Sequence, residues 1–459
     1  MDQGNTAYVI LNSALVLLMT PGLAFFYGGL VKAKSVVSMM MMSFGAIGLV
    51  AVLWAIYGFG VAFPDVASSS YVGITGVMAA PGVEGAPGAS IFGIQLGQIG
   101  LVDALTVPEG ALFPPMAFVF FQATFAIITV ALVSGAIADR AKFGAWMLFA
   151  FLWATFVYFP VANWVFNFTL CTPDLVAAGA CADGQVFASG GWLTYGLQNV
   201  FGLGAIDFAG GTAVHINSGA AALALSIVAG QRVGFAKGAF APHNPPFVLL
   251  GAGLLWFGWF GFNAGSELAA DGIAAAAAVN TLIAPAAALL AWCVVERLRD
   301  GKATAVGAAS GVVAGLVAIT PACAALTPTW AIVLGILAGT LCALAGDLKF
   351  RWGFDDSLDV VSIHLVGGLV GTLFLGFFAS GTGLLFWTPE VGGSFGAFTQ
   401  LVVQAIAALS VLVYSFVLAL LLAWIVDKTI GIRVKREDEL AGIDSSVHGE
   451  TSYVFTGRD

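Results

Sequence analysis

Long apolar stretches, separated by short polar interruptions, run along most of this 459-residue sequence. A helix that crosses a bilayer needs roughly 20 mainly apolar residues. Stretches of that kind recur eleven times, which predicts an all-α integral membrane protein with eleven transmembrane spans. The predicted spans cover residues 7–30, 36–63, 111–138, 143–162, 196–230, 246–265, 272–295, 303–325, 329–348, 358–380 and 397–426.

Basic residues occur only in every second loop of this arrangement. They follow spans 1, 3, 5, 7, 9 and 11, and the loops between contain no Lys or Arg. Because Lys and Arg collect on the cytoplasmic side of membrane proteins, an odd number of spans is expected, with the N-terminus outside and the C-terminus in the cytoplasm. The basic residues are Lys32, Lys34, Arg140, Lys142, Arg232, Lys237, Arg297, Arg299, Lys302, Lys349, Arg351, Lys428, Arg433, Lys435, Arg436 and Arg458.

Composition agrees with this class and adds little else. Hydrophobic residues make up 60% of the chain and charged residues 9%, which is too little charge to cover a water-soluble globule of this size. Span 1 is longer than a signal-peptide core and no basic residue precedes it, so we expect it to be retained. Acidic residues of the outer loops would concentrate cations there, or would simply reflect the exclusion of Lys and Arg. We expect no nucleic-acid partner.

The cysteines divide into two groups. Cys171 and Cys181 lie in the predicted outer loop after span 4, on the oxidising side, where a disulfide between them is a reasonable expectation. Cys293, Cys323 and Cys342 lie in or at the ends of apolar spans and are predicted to be packing residues.

Spans 5 and 10 carry the same polar pattern, DFAGGTAVHINSG and DSLDVVSIHLVGG. An aspartate precedes a histidine by eight residues, and a glycine follows that histidine by four. The predicted topology makes the two segments antiparallel, which indicates an inverted repeat of residues 7–230 and 246–380, with residues 397–426 as an extra helix and a site between the halves. The matching residues are Asp207, His215 and Gly219, and Asp356, His364 and Gly368.

Two histidines that meet in an apolar environment cannot both be protonated. Neutral imidazoles each offer one donor and one acceptor, which suits a small neutral guest or a relayed proton. Metal binding is the rival interpretation, but the spans place no cysteine or third histidine beside His215 and His364. A histidine with a purely structural role is the other alternative. No metal or other cofactor is expected.

Aromatic residues and a hydroxyl cluster near the predicted outer ends of spans 3 and 6. Phe121 and Phe125 are one helical turn apart in VFFQATF, and Trp259, Phe262 and Ser266 lie within WFGWFGFNAGSE. Ring faces attract a cation and a hydroxyl accepts its hydrogen bonds. Aromatic residues of membrane spans more often face lipid or the core, so this cluster gains weight only beside the histidines.

Several long motifs together resemble the ammonium transporter family. They are TPGLAFFYGGLV in span 1, DFAGGTAVHIN in span 5, FGFNAGS in span 6, HLVGG in span 10 and ELAGIDSSVHGE in the tail, and they extend over nearly the whole chain. The resemblance implies a homotrimer in the plasma membrane with one pore through each subunit, a transmembrane domain within residues 1–426 and a cytoplasmic tail of residues 427–459.

The resemblance also assigns roles to individual residues. His215 and His364 would line the pore, Phe125 and Phe262 would form a gate, and Asp207 and its counterpart Asp356 would be supporting acids. Ser266, Phe121, Trp259 and a further aromatic residue would recruit ammonium at the outer mouth. We predict Trp192 for that further position, with Trp164 or Phe166 as alternatives because the insert with the two cysteines falls there.

The expected activity is transport and not an enzymatic reaction, since no nucleophile, base and oxyanion set appears. Ammonium would be captured outside, deprotonated near the gate and conducted as ammonia past the histidines. The resemblance implies that a cytoplasmic PII signalling protein docks at the tail. An ammonium receptor of the same fold, acting through a separate partner, is the alternative function.

Overall fold

The computed structural model describes residues 2–63, 90–91, 94–95, 113–170, 177, 179, 187–235 and 241–453. Cys171 and Cys181, the candidates for a disulfide, lie outside the described residues. Helices make up nearly all of the regular structure in the part described, as the apolar pattern predicts.

Ten helices of the described residues are long and apolar enough to cross a membrane, and one shorter apolar helix accompanies them. The chain is therefore a multi-pass membrane protein. Numbered together, the helices are α1 Gln3–Leu30, α2 Val36–Ala62, α3 Pro115–Ile137, α4 Phe143–Phe166, α5 Gly211–Ala229, α6 Pro245–Glu267, α7 Gly272–Arg299, the shorter α8 Ala305–Ile319, α9 Pro328–Trp352, α10 Val361–Phe378 and α11 Gly396–Thr429.

Short elements complete the described chain. Helical turns cover Trp192–Gly196, Leu197–Phe201, Pro389–Val391, Arg436–Ala441 and Asp444–His448. Strand β1 (Ser90–Ile91) pairs antiparallel with β2 (Ile94–Gln95). Strand β3 (Phe168–Leu170) pairs antiparallel with β4 (Phe187–Gly190), with Phe168 opposite Gly190 and an irregularity between Thr169 and Leu170.

Polar side chains fix where several helices begin. Asp2, Asn244 and Asp271 each accept backbone N–H groups from the first turn of α1, α6 and α7, respectively. Such caps satisfy donors that have no partner within the helix. Pro115 opens α3, at a position where its missing N–H costs nothing.

The fifth span differs from the sequence prediction. A single helix over residues 196–230 was expected, but the chain leaves the helical conformation after Phe201 and re-enters it at Gly211. Gly202 adopts φ 85°, the left-handed conformation that ends helices, and the carboxylate of Asp207 accepts the first N–H groups of α5. Hydropathy alone does not show such a break, because the residues on both sides of it are apolar.

The eighth span is shorter than predicted. Residues 303–325 were expected to be helical, whereas α8 is the 15-residue helix Ala305–Ile319, followed by turns. Pro321 lies just beyond the C-cap residue Thr320, and the residue before a proline is poorly suited to continue a helix. The count of eleven membrane-crossing helices and the orientation of the termini therefore stay predictions from the sequence.

Helices α5 and α10 pack against each other with a two-fold correspondence. A Cβ at Gly219 would lie 2.7 Å from Cα of Leu365, and a Cβ at Gly368 would lie 3.1 Å from N of Ile216. Leu365 and Ile216 each follow a histidine directly, so each glycine contacts the same position of the other helix. This reciprocal contact is the packing that the inverted repeat predicts.

The first helices of the two halves also approach closely through glycine. A Cβ at Gly22 of α1 would lie 3.0 Å from Cβ of Leu254, and one at Gly251 of α6 would lie 2.6 Å from Cα of Phe26. In a bilayer, where helices gain little from hiding apolar surface, small residues let backbones pack closely enough for dispersion forces to hold them. Each pair, α1 with α6 and α5 with α10, joins corresponding helices of the two halves.

A buried ion cluster joins the ends of α3, α5 and α9. Arg232 forms a two-point contact with Asp355, with Nη2 to Oδ1 at 2.8 Å and Nε to Oδ2 at 2.9 Å, and its Nη1 reaches Asp139 at 3.1 Å. Burial would raise the pKa of Asp355, but hydrogen bonds and charge from Arg232 lower it below the ordinary value. Arg140 is buried beside this cluster, and burial lowers the pKa of its guanidinium to about 10.

The C-terminal tail packs on the loops that carry the basic residues. Asp444 accepts the backbone N–H groups of Val37 and Ser38 at 3.1 and 2.8 Å, at the start of α2. Glu439 accepts the N–H of Val233 and pairs with Arg433 at 2.6 Å. The tail is therefore an ordered part of the fold up to residue 453, where the described residues end.

Candidate functional site

Two phenylalanine rings lie face to face between α3 and α6. The ring centres of Phe125 and Phe262 are 4.1 Å apart, and their planes differ by 11°. Both side chains are buried, with 1% and 0% exposure. Close stacking of this kind leaves no space for another molecule between the two rings.

Phe121 and Ser266 lie on the predicted outer side of this stack. The ring of Phe121, one turn closer to the start of α3, is 4.9 Å from that of Phe125. Ser266 is partly exposed, and its hydroxyl donates to the carbonyl oxygen of Phe262 at 2.7 Å. The donation leaves the lone pairs of Ser266 Oγ available to accept a hydrogen bond from a guest.

The further aromatic residue beside the stack is Phe166. Its ring is 6.2 Å from that of Phe125, in an edge-on arrangement. Trp192, predicted for this position, instead has its ring 5.6 Å from Trp164, which in turn lies 4.5 Å from Tyr414. In the described structure, then, the alternative Phe166 is brought to the stack, and Trp192 and Trp164 form a separate group against α11.

Trp259 lies deeper than the predicted recruitment position. Its ring stacks on His215 with centres 5.5 Å apart, and its indole nitrogen donates to Thr320 Oγ1 at 2.8 Å. Trp259 precedes Phe262 by one helical turn, on the side away from Ser266. It therefore borders the histidines and the inner face of the stack.

His215 and His364 meet directly beneath the phenylalanine pair. Their Nδ1 atoms are 3.2 Å apart, and the ring centres are 5.3 Å apart. The side chains are 1% and 3% exposed, and Nε2 of His215 has no hydrogen-bond partner in the described structure. Each imidazole thus spends one nitrogen on the other ring, which leaves the remaining nitrogen for a guest.

Each histidine lies in a wide, π-helical turn at the start of its helix. These turns are Gly211–Ile216 in α5 and Val361–Val366 in α10. Wide turns of this kind are frequent at functional sites, although the described chain has others, such as Trp54–Gly58 and Ala154–Tyr158, away from the histidines. Their presence at matching positions of both halves strengthens the correspondence between the two segments.

The two aspartates of the repeated pattern begin these helices. Asp207 accepts backbone N–H groups of Gly210, Gly211, Thr212 and Ala213, and also the Thr212 hydroxyl. Asp356 accepts the N–H of Val361 at 2.7 Å. Both carboxylates thus hold the turns that carry the histidines. The role predicted for Asp207, support of the outer recruitment site, stays a prediction.

A narrow cavity adjoins the histidines. About 10 Å³ is open to the centre of a water-sized molecule, close to the roughly 10–15 Å³ that one such molecule needs. Apart from the imidazoles and the Trp259 indole, its wall is made of apolar side chains. Residues of the wall include Leu23, Phe26, Ile128, Leu132, Leu255 and Val313.

Nothing in the sequence singles out these apolar wall residues. They come from α1, α3, α6 and α8, and nothing in an apolar span distinguishes a residue that faces a cavity from one that faces lipid. Which side of α1 and of α6 faces the cavity depends on the contact between these two helices at Gly22 and Gly251. The sequence alone does not show that contact.

The fold and the site together define a polytopic membrane protein with a small apolar cavity beside two histidines that come from corresponding helices. The chain belongs to the ammonium transporter family: the profile described as Ammonium Transporter Family matches residues 7–453. An ammonium transporter of Mycobacterium tuberculosis is 52% identical, over 99% of this chain and 91% of the relative. That of Aquifex aeolicus is 40% identical, over 99% and 94%.

Solved structures agree with this assignment. A structure titled Sensor Amt Protein superposes with a TM-score of 0.78 at 27% identity, over 96% of this chain and 98% of the other. Mep2 of Candida albicans superposes with a TM-score of 0.75 at 28% identity, over 99% and 94%.

Proposed function

We propose that this chain carries ammonium nitrogen across the membrane, by capturing ammonium outside and conducting ammonia inward. The observation that carries the proposal is the pair of buried imidazoles, bonded to each other at Nδ1 and lined up beneath the stacked rings of Phe125 and Phe262. The apolar wall around that pair is a poor environment for a hydrated ion and a tolerable one for a small neutral molecule.

Capture takes place at the outer side of the stack. The faces of Phe121 and Phe166 lie close to Phe125, and Ser266 presents an oxygen beside them. Ring faces attract ammonium through their quadrupoles, and the serine oxygen accepts one of its hydrogen bonds. Potassium, which is close to ammonium in size, donates no hydrogen bond and gains less from this arrangement.

Deprotonation accompanies entry into the passage. An unpaired charge in a hydrocarbon-walled cavity has a large desolvation cost, whereas ammonia has a small one. Nitrogen therefore enters the passage as ammonia, and the proton passes to a water molecule on the outer side of the stack, where Ser266 is partly exposed. Potassium has no proton to lose and stays excluded.

The imidazoles then guide ammonia through the apolar part of the passage. Since the two Nδ1 atoms share one hydrogen, one ring presents an Nε2–H and the other an Nε2 lone pair. Ammonia both donates and accepts, so it can bond to either nitrogen in turn. This replaces part of its hydration without a requirement for a charged group.

We further propose that three copies assemble, each with its own passage, and that a PII signalling protein acts at the tail. The ordered tail supports the second part, because Asp444 and Glu439 hold it against the loops before α2 and after α5. A partner that binds there would contact both the tail and those loops.

Transport is tested with purified protein in liposomes, by recording current and nitrogen uptake after an ammonium step. We expect ammonium-dependent uptake from the native chain, a loss of rate or selectivity in His215→Ala and His364→Ala, and native behaviour in His448→Phe. His448 is a matched control, because its ring lies against Phe143, outside the passage.

The same experiment addresses the alternative function, an ammonium receptor. Ammonium binding without uptake by the native chain would reject transport and favour the receptor. Native rate and selectivity in both alanine variants would remove the histidines from the mechanism while leaving transport standing.

A further inference from the structure

An open groove lies on the outside of the molecule, apart from the histidine cavity. It measures about 640 Å³ and runs between α11, the end of α4 and the segment that begins at Trp192. Trp164, Trp192 and Tyr414 form its aromatic end. The rest of the wall is one face of α11, with Leu409, Val413 and Val417 at intervals of four residues and Ser410 and Leu418 beside them.

This groove faces the hydrocarbon of the bilayer. Leu409, Val413 and Val417 are each more than half exposed, and none of the residues that line the groove carries a charge. Helix α11 has 34 residues, about 51 Å at 1.5 Å per residue, so it is too long to stand upright in a core of about 30 Å. A tilted α11 that diverges from α4 leaves such a groove between them.

The aromatic end holds two hydrogen-bond donors that bond to no acceptor among the described residues. In the described part of the chain, neither the indole N–H of Trp164 nor that of Trp192 has an acceptor, whereas the Tyr414 hydroxyl donates to the carbonyl of Phe156 at 2.7 Å. Both tryptophans lie just beyond the predicted spans 143–162 and 196–230, at the depth where indole rings meet the polar–apolar boundary of a bilayer. An unpartnered polar group on the hydrocarbon side of that boundary costs several kcal/mol. The occupant of the groove should therefore supply oxygen acceptors.

We propose that the groove is a binding site for one diacyl glycerolipid, with an acyl chain along Leu409, Val413 and Val417 and ester carbonyl oxygens at Trp164 and Trp192. A glycerolipid combines the two features that the groove requires, an apolar chain and uncharged acceptors next to it. Because no charged side chain lines the groove, recognition depends on the ester group and not on the charge of the headgroup.

The site is tested by native mass spectrometry of the purified, detergent-solubilised protein titrated with phosphatidylethanolamine, phosphatidylglycerol and the ether-linked analogue of phosphatidylethanolamine. We expect both ester lipids to bind with similar affinity and the ether lipid to bind about tenfold more weakly, because it lacks the carbonyl acceptors. A diazirine on the acyl chain should label α11 near Val413.

Variants identify the groove as the origin of this binding. Trp164→Phe combined with Trp192→Phe keeps the rings and removes only the donors, so it should weaken the ester lipids about tenfold and leave the ether lipid unchanged. Trp424→Phe is the matched control, since Trp424 is an exposed indole elsewhere on α11. Ser410→Trp fills the groove and should abolish the label at Val413.

Equal affinity for ester and ether lipids, or native affinity in the double Trp variant, would overturn the proposal. A disulfide that forms between subunits of Val413→Cys protein in membranes would also overturn it, since the groove would then be covered by another copy. Elution of each variant at the native volume in size-exclusion chromatography verifies folding. None of these outcomes depends on whether the protein transports ammonium.

Discussion

Nδ1 of His215 lies 3.2 Å from Nδ1 of His364, so only one of the two nitrogens carries a hydrogen. That single hydrogen couples the tautomers of the two rings: when one ring donates at Nδ1, its Nε2 is an acceptor, and the other ring offers Nε2–H. The pair therefore presents one donor and one acceptor to the passage whichever way the shared hydrogen sits.

Replacing one ring separates hydrogen bonding from the shape of the cavity. His364→Gln retains a donor and an acceptor, and His364→Leu retains the bulk alone. We expect the leucine variant to conduct ammonium nitrogen about tenfold more slowly than the glutamine variant, because a hydrogen bond to a neutral partner contributes about 1 kcal/mol. Uptake into liposomes measures this ratio. Equal rates in the two variants would mean that the ring acts only as a wall.

Removing one ring of the stack should reduce selectivity. Phe262→Ala opens the space now closed by rings 4.1 Å apart, so water and hydrated ions gain access to the histidines. We expect a potassium current in liposomes that the native protein lacks. Phe257→Ala is the control, because Phe257 lies on the same helix with 57% exposure and should leave selectivity unchanged. If the Phe262→Ala protein carried no potassium current, selectivity would have to arise deeper in the passage than the stacked rings.

Contact between the two halves predicts a large effect for a small substitution. Gly219→Ala would place a methyl group 2.7 Å from Cα of Leu365, which forces α5 and α10 apart. We expect a loss of about 1–3 kcal/mol of stability, typical of overpacking, visible as a lower thermal midpoint in detergent. Gly48→Ala on α2 has open space around the new methyl and should be neutral or slightly stabilising. Similar midpoints for the two variants would contradict the close contact.

Asp356 predicts a pH dependence of stability. Burial, and then the charge of Asp359, raise the pKa of Asp356 to about 6, above its value in the unfolded chain. The folded protein therefore binds an extra proton between about pH 4 and pH 6, and its stability falls as pH rises through that window. The difference amounts to about 3 kcal/mol for two pKa units.

Thermal unfolding in detergent as a function of pH tests this. Asp356→Asn keeps an oxygen for the N–H of Val361 and removes the titrating group, so its pH profile should be flatter than that of the native protein. Glu437→Gln changes an exposed carboxylate of the tail and should follow the native profile. If Asp356→Asn retained the native slope, another group would have to be responsible.

The sequence predicts the membrane helices well because spanning a bilayer is a requirement on length and polarity. It also predicts the meeting of His215 with His364, since an aspartate, a histidine and a glycine recur at the same spacing in both halves. Packing turns that spacing into contact, as the reciprocal positions of Gly219 and Gly368 illustrate. The meeting of the two histidines can thus be predicted from the sequence alone.

Other features depend on geometry that the sequence does not carry. The break before α5 lies within apolar residues, and the wide turns around the histidines produce no change of hydrophobic period. Phe166 and Trp192 are separated by an insert, so only the chain path decides which ring reaches Phe125. Phe166 and Trp192 are both aromatic, so residue type does not show which of them lies beside Phe125.

The start of α2 has a consequence for the far end of the chain. Ser35 provides no side-chain cap, and the carboxylate of Asp444 accepts the N–H groups of Val37 and Ser38 in its place. Synthesis of the membrane domain is therefore finished before one of its earliest helices has its full set of hydrogen bonds. The hydrogen bonds at the start of α2 are therefore completed only after Asp444 has been synthesised, so the tail stabilises the transmembrane bundle from the opposite end of the chain.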